Sequence, residues 1–169
     1  MSAQPSKHAG AGRKGKAAEH LIAASCILAT AGELNASTSL VDDEGVDIVF
    51  HKRGSSRTLA VQVKSRFSDE AGSMHLRNKG QFITDVRLET FQPRDGLAML
   101  FAAVDATHAD FGPVWFVPSH DFSHQGLRTG GGKLRFSASA KADSKDKWRK
   151  YRLEKQELAP AILHRLTEL

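Results

Sequence analysis

The chain of 169 residues is long enough for one domain with its own core, without metal or disulfide staples. Its 40% hydrophobic and 25% charged residues are ordinary for a globular protein and exclude disorder of the whole chain. The net charge of +5 permits binding to nucleic acid, and a single cysteine, Cys26, excludes an internal disulfide. No apolar run approaches the roughly 20 residues of a membrane span, and no signal peptide is recognised. We therefore expect a soluble cytoplasmic protein without membrane partners.

The N-terminal part is predicted to be a short tail followed by a helix. Residues 1–12 are expected to be a disordered tail ahead of a single domain over 13–169. Within 14–31, apolar residues recur at steps of three and four, which predicts a helix with one buried face. The predicted stripe is Ala18, Leu21, Ile22, Ser25, Leu28 and Ala29. Glu19 lies at the border of this stripe, and spacing alone favours a solvated helix glutamate.

Two short apolar strands with misplaced polar residues follow, over 45–50 and 59–64. The polar turn between them contains a glycine and favours an antiparallel hairpin. Because successive side chains of a strand point to opposite faces, Gln62 and Lys64 share one face. If the strands pair, Asp47 can meet Gln62 and Lys64 on one side of the hairpin. A simpler alternative is an ion pair between Asp47 and Lys64.

The rest of the chain indicates further strands and helices. The almost continuously apolar run 97–104 predicts a central strand covered on both sides. The other predicted elements are a strand over 35–41, a loop over 67–80, a strand or helix over 82–86, strands over 113–118 and 134–136, a helix over 121–124 capped by Ser119, and a helix over 158–169. This order predicts an α/β domain with a central mixed β-sheet flanked by helices.

Basic residues indicate where nucleic acid would bind. The stretch 141–155 has seven Lys or Arg residues against three acids, with Trp148 and Tyr151 interleaved. Such a segment can neutralise phosphates and stack on bases. An amphipathic segment whose two aromatics anchor it to the core is an equal alternative. The residues expected to contact nucleic acid are Arg13, Lys14, Lys16, Arg66, Lys147, Arg149 and Lys150.

Three motifs in order resemble the PD-(D/E)XK nuclease superfamily. They are KGKAAE at 14–19, GVDIV at 45–49 and VQVK at 61–64. The likeness is greatest to archaeal Holliday-junction resolvases and related restriction-endonuclease-like proteins, in which a helix glutamate precedes two catalytic strands. It covers 13–66, and the remainder agrees only in the order of its elements. The resemblance implies a restriction-endonuclease-like core and a metal-dependent endonuclease that cleaves DNA, at branched or otherwise structured sites.

The resemblance also implies a role for each motif residue. Hydrolysis of a phosphodiester needs a divalent ion, Mg²⁺ or Mn²⁺, that offsets charge and activates a water molecule. By resemblance, Asp47 is the principal ligand and Glu19 binds the metal directly or through water. Gln62 offers its amide oxygen, and the backbone carbonyl of Val63 completes the set. Lys64 orients the water or stabilises the developing negative charge. A homodimer is also implied, because symmetric cutting of two strands needs two sites.

One departure from the superfamily weakens the catalytic interpretation. Gln62 stands where a second acid is more common, and an uncharged amide oxygen is expected to lower metal affinity. Asp43 is a candidate compensating acid. The alternative function is a non-catalytic nucleic-acid-binding module of the same fold with a degenerate metal site. An RNA-processing nuclease is a third, weaker hypothesis.

Overall fold

The computed structural model describes residues 7–38, 45–69 and 74–169. In this described part, no helix has the length and apolar character of a membrane span. The helices and strands within these ranges are, in chain order, α1 (Lys7–Ala29), β1 (Leu34–Thr38), β2 (Ile48–Lys52), β3 (Thr58–Phe67), α2 (Met74–Lys79), β4 (Gln81–Arg87), β5 (Leu97–Asp105), β6 (Asp110–Pro118), α3 (Ser119–Gln125), β7 (Leu127–Thr129), β8 (Lys133–Ser139), β9 (Arg152–Leu153) and α4 (Lys155–Glu168).

The strands form two sheets. The larger sheet has the order β1-β2-β3-β5-β6-β9, in which β3 and β5 are parallel and the other neighbours are antiparallel. The smaller sheet is antiparallel and has the order β4-β8-β7. Residues 97–104 of β5 are buried throughout, which explains why this run is apolar without alternation. The predicted α/β class, with a central mixed sheet flanked by helices, is confirmed.

The predicted hairpin is also confirmed. β2 and β3 pair antiparallel from Ile48 opposite Val61 to His51 opposite Thr58. β3 then continues to Phe67 with β5 as its partner. The strand therefore extends beyond its pairing with β2, and Gln62 and Lys64 of the third motif follow directly after the last paired residue, Val61.

Helices α1 and α4 cover one face of the larger sheet. Their buried side chains pack on a core that includes Val61 and Val63 of β3. Cys26 is buried in this core, and burial raises the pKa of its thiol to about 12. The predicted stripe of α1 is partly wrong, because Leu28 is 80% exposed. The buried face is Ala18, Glu19, Ile22, Ala23 and Cys26, which places Glu19 within the face rather than at its border.

The smaller sheet and α3 cover the opposite face. This second core is rich in aromatic residues, and Phe101 of β5 stacks on Phe136 of β8 with ring centroids 3.8 Å apart. Trp148 belongs to the same core and is 1% exposed. The aromatic residues of the basic stretch therefore anchor it to the core, and base stacking by Trp148 is excluded by its burial.

Several predicted boundaries differ from the observed ones. α1 begins at Lys7, within the segment expected to be a tail. The segment expected to be a loop contains α2 (Met74–Lys79), and the undecided segment at 82–86 is strand β4. β1 ends at Thr38, and the rest of its predicted range, with Asp43, lies outside the described residues.

The predicted N-cap of α3 is wrong. Ser119 is the first helical residue, and Pro118 occupies the cap position without a side-chain hydrogen bond. The buried Ser119 hydroxyl donates to the Arg94 carbonyl at 2.7 Å and accepts the Arg94 N–H at 2.9 Å. The hydroxyl is therefore engaged by the loop before β5, so it does not cap the helix.

Candidate active site

Asp47 lies immediately before β2, where the pairing of β2 with β3 ends. Its N–H donates to the Val61 carbonyl at 3.0 Å, and its Oδ2 accepts the Val63 N–H at 2.7 Å. The carboxylate thus provides an acceptor for a strand N–H beyond the last paired residue of β2. This bond holds the Asp47 side chain, which is 7% exposed, against the backbone between Gln62 and Lys64.

The amide of Gln62 is held by a close backbone approach. Gln62 is 5% exposed, and Gly45 lies against its side chain with a φ of 68°. A Cβ atom at Gly45 would lie 2.7 Å from Nε2 and 3.6 Å from Oε1 of Gln62. The amide nitrogen therefore faces Gly45, and the oxygen is turned further from it. Only glycine combines this backbone conformation with the required space.

Lys64 lies two residues after Gln62 on the same face of β3 and is half-buried. Alternation places Ala60, Gln62, Lys64 and Arg66 in one row, opposite to the row that packs under the helices. Within the described residues, the ammonium of Lys64 forms no hydrogen bond or ion pair. The simple cross-strand ion pair with Asp47 is therefore not observed.

Glu19 lies on α1, over the face of the sheet that carries Val61 and Val63 and opposite to the face that carries Gln62 and Lys64. The residue is 7% exposed, and its Oε2 accepts a hydrogen bond from Lys16 Nζ at 2.8 Å. A solvated helix glutamate is therefore not what the structure has. The hairpin brings Asp47, Gln62, Val63 and Lys64 together, whereas the meeting of Glu19 with them stays a prediction.

The donor atoms of the candidate residues are of the type that a hard divalent cation takes. Two buried carboxylates, a buried amide oxygen and strand carbonyls are all oxygen ligands, the type that Mg²⁺ and Mn²⁺ take. Within the described ranges, no group of three His, Cys, Asp or Glu residues could hold a metal ion. A metal held at Asp47 and Glu19 would therefore complete its coordination with the amide of Gln62, a backbone carbonyl or water.

A cleft of about 510 Å³ lies beside these residues. Val46, next to Asp47, and Ala60, in the row of Gln62, line it together with Arg94 and Gly96. Buried Ser119 fixes the backbone of Arg94 through two hydrogen bonds. The cleft is thus lined by neighbours of Asp47 and Gln62 in the chain, whereas Asp47, Gln62 and Lys64 are not among its lining residues.

Three of the predicted nucleic-acid contacts lie on α1. Arg13 is exposed, while Lys14 pairs with Asp69 at 3.0 Å and lies over the ring of Phe67. Lys16 pairs with Glu19. Lys14 and Lys16 thus have partners within the chain that a phosphate would have to displace.

The other four predicted contacts differ in their availability. Arg66 donates from Nε to the Ile83 carbonyl at 3.0 Å and from Nη2 to Thr84 Oγ1 at 3.1 Å. Its guanidinium therefore joins β3 to β4. Lys147 donates to the Gln125 carbonyl and lies over the Trp148 ring. Exposed Lys150 lies over the Tyr151 ring, and Arg149 is also exposed.

Comparison with known proteins bears on the fold. No protein-family model matches the chain, and no curated protein matches its sequence. Among solved structures, the chain is similar to a bacterial homing endonuclease, I-Ssp6803I, with a TM-score of 0.51 and 17% identity over 90% of this chain and 93% of that one. The chain therefore shares the fold of that solved structure. At this identity the likeness concerns the arrangement of helices and strands alone.

Proposed function

We propose that this protein is a metal-dependent endonuclease that hydrolyses DNA phosphodiester bonds. The contact between the Asp47 carboxylate and the Val63 N–H carries the proposal, because it sets an acid beside Gln62 and Lys64. A nuclease-like fold and a net charge of +5 support an anionic polymer as substrate. DNA is favoured over RNA because the similar solved structure is named as a homing endonuclease.

Asp47, Gln62, Glu19 and the carbonyl of Val63 would hold Mg²⁺ or Mn²⁺. When bound, such an ion offsets charge on the scissile phosphate and lowers the pKa of an attacking water molecule. The chain itself prepares the ligands. The Val63 N–H orients Asp47, and the approach of Gly45 fixes the amide plane of Gln62. Ligands that are already oriented lose little conformational entropy on binding.

Lys64 would donate to the phosphate oxygen on which negative charge develops. Its position in the same row as Gln62 allows both side chains to face one phosphate group. Because Lys64 is half-buried and uncommitted within the described residues, its charge acts through less solvent than an exposed lysine would.

The test is cleavage of plasmid, linear and four-way-junction DNA in Mg²⁺ or Mn²⁺. We expect Asp47→Ala and Lys64→Ala each to lower the cleavage rate by about 100-fold or more. Asp143→Ala and Lys79→Ala are matched controls, because both residues are exposed and lie on neither β2 nor β3. Absence of cleavage by every form, with DNA binding unchanged in all variants, would reject the enzyme in favour of a binding module.

The proposal includes a homodimer and a preference for branched DNA. Two sites related by a two-fold axis would cut both strands of a duplex. Light scattering should give twice the 18.4 kDa mass of the chain. Relative rates on four-way-junction and linear DNA measure the preference for branched substrates, and equal rates would remove it from the proposal.

A further inference from the structure

The smaller sheet has one face in the aromatic core and one face open to solvent. Phe82, Val86, Leu134 and Phe136 point into the core. By alternation, the opposite side chains of β4 and β8 form the outer face, and these residues are exposed or half-buried. The outer face is defined here by Asp85, Arg87, Leu127, Lys133, Arg135 and Ser137.

The outer face is basic at one end. Arg87 lies directly opposite Lys133 in the β4–β8 register. Like charges in this position repel one another, and within the described residues neither forms an ion pair. An anion placed over both side chains would relieve the repulsion. Two opposed cations, Arg87 and Lys133, are therefore more favourable with an anion bound over them than in the free protein.

The acid on this face is already neutralised. Asp85 accepts two hydrogen bonds from Arg135, Nε to Oδ1 at 2.8 Å and Nη2 to Oδ2 at 3.0 Å. The hydrogen bond from Arg135 holds the pKa of the Asp85 carboxyl below its usual range against the opposing effect of burial, and the charges of Lys133 and Arg66 act in the same direction. The electrostatic potential over the outer face of the smaller sheet is therefore positive.

An apolar side chain completes the face. Leu127 of β7 pairs with Arg135 and is 62% exposed. A large apolar residue in a basic, exposed setting suits contact with the edge of a base, such as the methyl group of thymine. The basic residues would contact phosphates, and Leu127 would contact bases.

The outer face is tied to the candidate active site through Arg66. Arg66 follows Gln62 and Lys64 in the same row of β3 and donates to β4 at Ile83 and Thr84. Two residues of a strand span about 7 Å, so the anchor of the smaller sheet lies about that far along β3 from Lys64. The stacked Phe101 and Phe136 rings support the sheet from below.

We propose that the outer face of the β4–β8–β7 sheet lies in the major groove of duplex DNA beside the bond to be cut. Arg87 and Lys133 bind phosphates, and Leu127 contacts base edges. The major groove is about 12 Å wide and admits a two-stranded ribbon, so β8 and β7 at one side of the sheet enter it with Leu127. Arg87 on β4 and Lys133 on β8 then reach phosphates at the border of the groove. The inference rests on the proposed function in taking DNA as the ligand, and it adds the surface and the groove.

The test measures binding to a 30-base-pair duplex by fluorescence anisotropy in EDTA, where cleavage plays no part. Each phosphate contact contributes about 0.9 to the slope of log affinity against log salt, so Arg87→Ser/Lys133→Ser should lower its magnitude by about 1.8. If the affinities converge at 1 M salt, the loss at 0.1 M is about 60-fold. Arg53→Ser/Arg57→Ser, at the β2–β3 turn, is the control with the same charge change.

A second variant separates base contacts from phosphate contacts. Leu127→Ser should leave the salt slope unchanged but alter the sequences selected from a random duplex pool, with loss of a thymine preference. In thermal unfolding, Leu127→Ser should remain folded, and Arg87→Ser/Lys133→Ser should be at least as stable as the wild type, because it removes the repulsion between two opposed cations.

The outcomes distinguish this inference from the nuclease proposal. Cleavage by the wild type together with undiminished binding by Arg87→Ser/Lys133→Ser overturns the inference alone. Loss of binding by this variant, in a protein that cleaves no substrate, supports the inference and rejects the enzyme. Three other outcomes also overturn the inference. The Arg53→Ser/Arg57→Ser control could lose as much affinity, or the wild type could fail to bind the duplex. The third is that Arg87→Ser/Lys133→Ser changes the mass of the oligomer instead of DNA binding.

Discussion

Gly45 and Gln62 depend on each other at the scale of single residues. The positive φ of Gly45 and the short distance from its missing Cβ to Gln62 Nε2 mean that a side chain here would displace the amide. Gly54 has a similar φ of 77° but nothing within 4 Å of its missing Cβ. Comparing substitutions at Gly45 and Gly54 therefore separates the effect of backbone strain from the effect of contact with Gln62.

Gly45→Ala should impair both stability and cleavage. Backbone strain alone costs about 1–2 kcal/mol, and Gly54→Ala should show only this loss in free energy of unfolding. Gly45→Ala should lose more and should also need a higher Mg²⁺ concentration for half-maximal cleavage. Denaturant unfolding and a Mg²⁺ titration measure the two effects. Equal behaviour of the two variants would mean that Gly45 does not position Gln62.

Gln62→Glu should strengthen metal binding. A carboxylate has nearly the shape of the amide but adds a negative charge to a site that already has Asp47, so hard-cation affinity should rise. Isothermal titration with Mn²⁺ should give a dissociation constant lower by about tenfold, equivalent to about 1.4 kcal/mol. Gln156→Glu, at an exposed position of α4, is the control amide outside the candidate site. An unchanged constant would argue against Gln62 as a ligand.

The candidate residues could be selected from sequence because strand alternation is a local property. Alternation alone places Gln62 and Lys64 on one face. The hydrogen bond from the Val63 N–H to Asp47 and the close approach of Gly45 to Gln62 could not be predicted from the sequence. Both depend on where β2 stops pairing with β3. Arg66 was expected to bind nucleic acid, yet it contacts β4, a partner that local spacing does not reveal.

The basic stretch shows at the scale of elements why composition was ambiguous. Asp146 accepts hydrogen bonds from the N–H groups of Ser139 and Trp148 and from the Ser144 hydroxyl. These bonds shape the segment so that the Trp148 ring enters the core while its cationic neighbours face solvent. Nucleic-acid binding and anchoring to the core were inferred from the same residues. Only the fold of the segment shows that the Trp148 ring is buried while the basic side chains around it are exposed.

Asp146→Asn should destabilise the protein in a pH-dependent manner. Burial raises the pKa of Asp146, but the hydrogen bonds from Ser144, Ser139 and Trp148 outweigh it and the pKa lies below its usual value. The stabilisation is therefore complete above the unfolded pKa of about 3.9 and is lost as the pH falls through the lower folded pKa.

The loss for Asp146→Asn should be about 1–2 kcal/mol at pH 6 and should shrink below about pH 4. Urea unfolding at several pH values measures it. Asp143→Asn, an exposed neighbour, should behave like the wild type throughout. A deficit for Asp146→Asn that does not change with pH would show that the ionised form is not what the segment requires.

At the scale of the whole molecule, Arg66 links the two sheets. Arg66→Ala should lower the free energy of unfolding by about 1–3 kcal/mol, because the part-buried Ile83 carbonyl and Thr84 hydroxyl lose their donor. Arg149→Ala removes an equal charge from an exposed residue and should have little effect. Denaturant midpoints compare the variants, and equal midpoints would show that the sheets are held by the aromatic core alone.

The two-sheet arrangement itself exceeds what local patterns predict. Sequence patterns predict a strand at 134–136 and a strand or helix at 82–86, and both segments are strands. Their pairing as β4 and β8, with Gln81 opposite Ser139, joins distant parts of the chain. Periodicity within a window of about 18 residues holds no information on such partners.

The burial of β5 has a consequence for amide hydrogen exchange. This strand is covered on both faces and hydrogen-bonded to β3 and β6 along its edges. No local opening can expose its N–H groups without disrupting both cores, so they should exchange only through global unfolding. The exchange rates of Met99 and Leu100 would then report the free energy of unfolding directly, without denaturant.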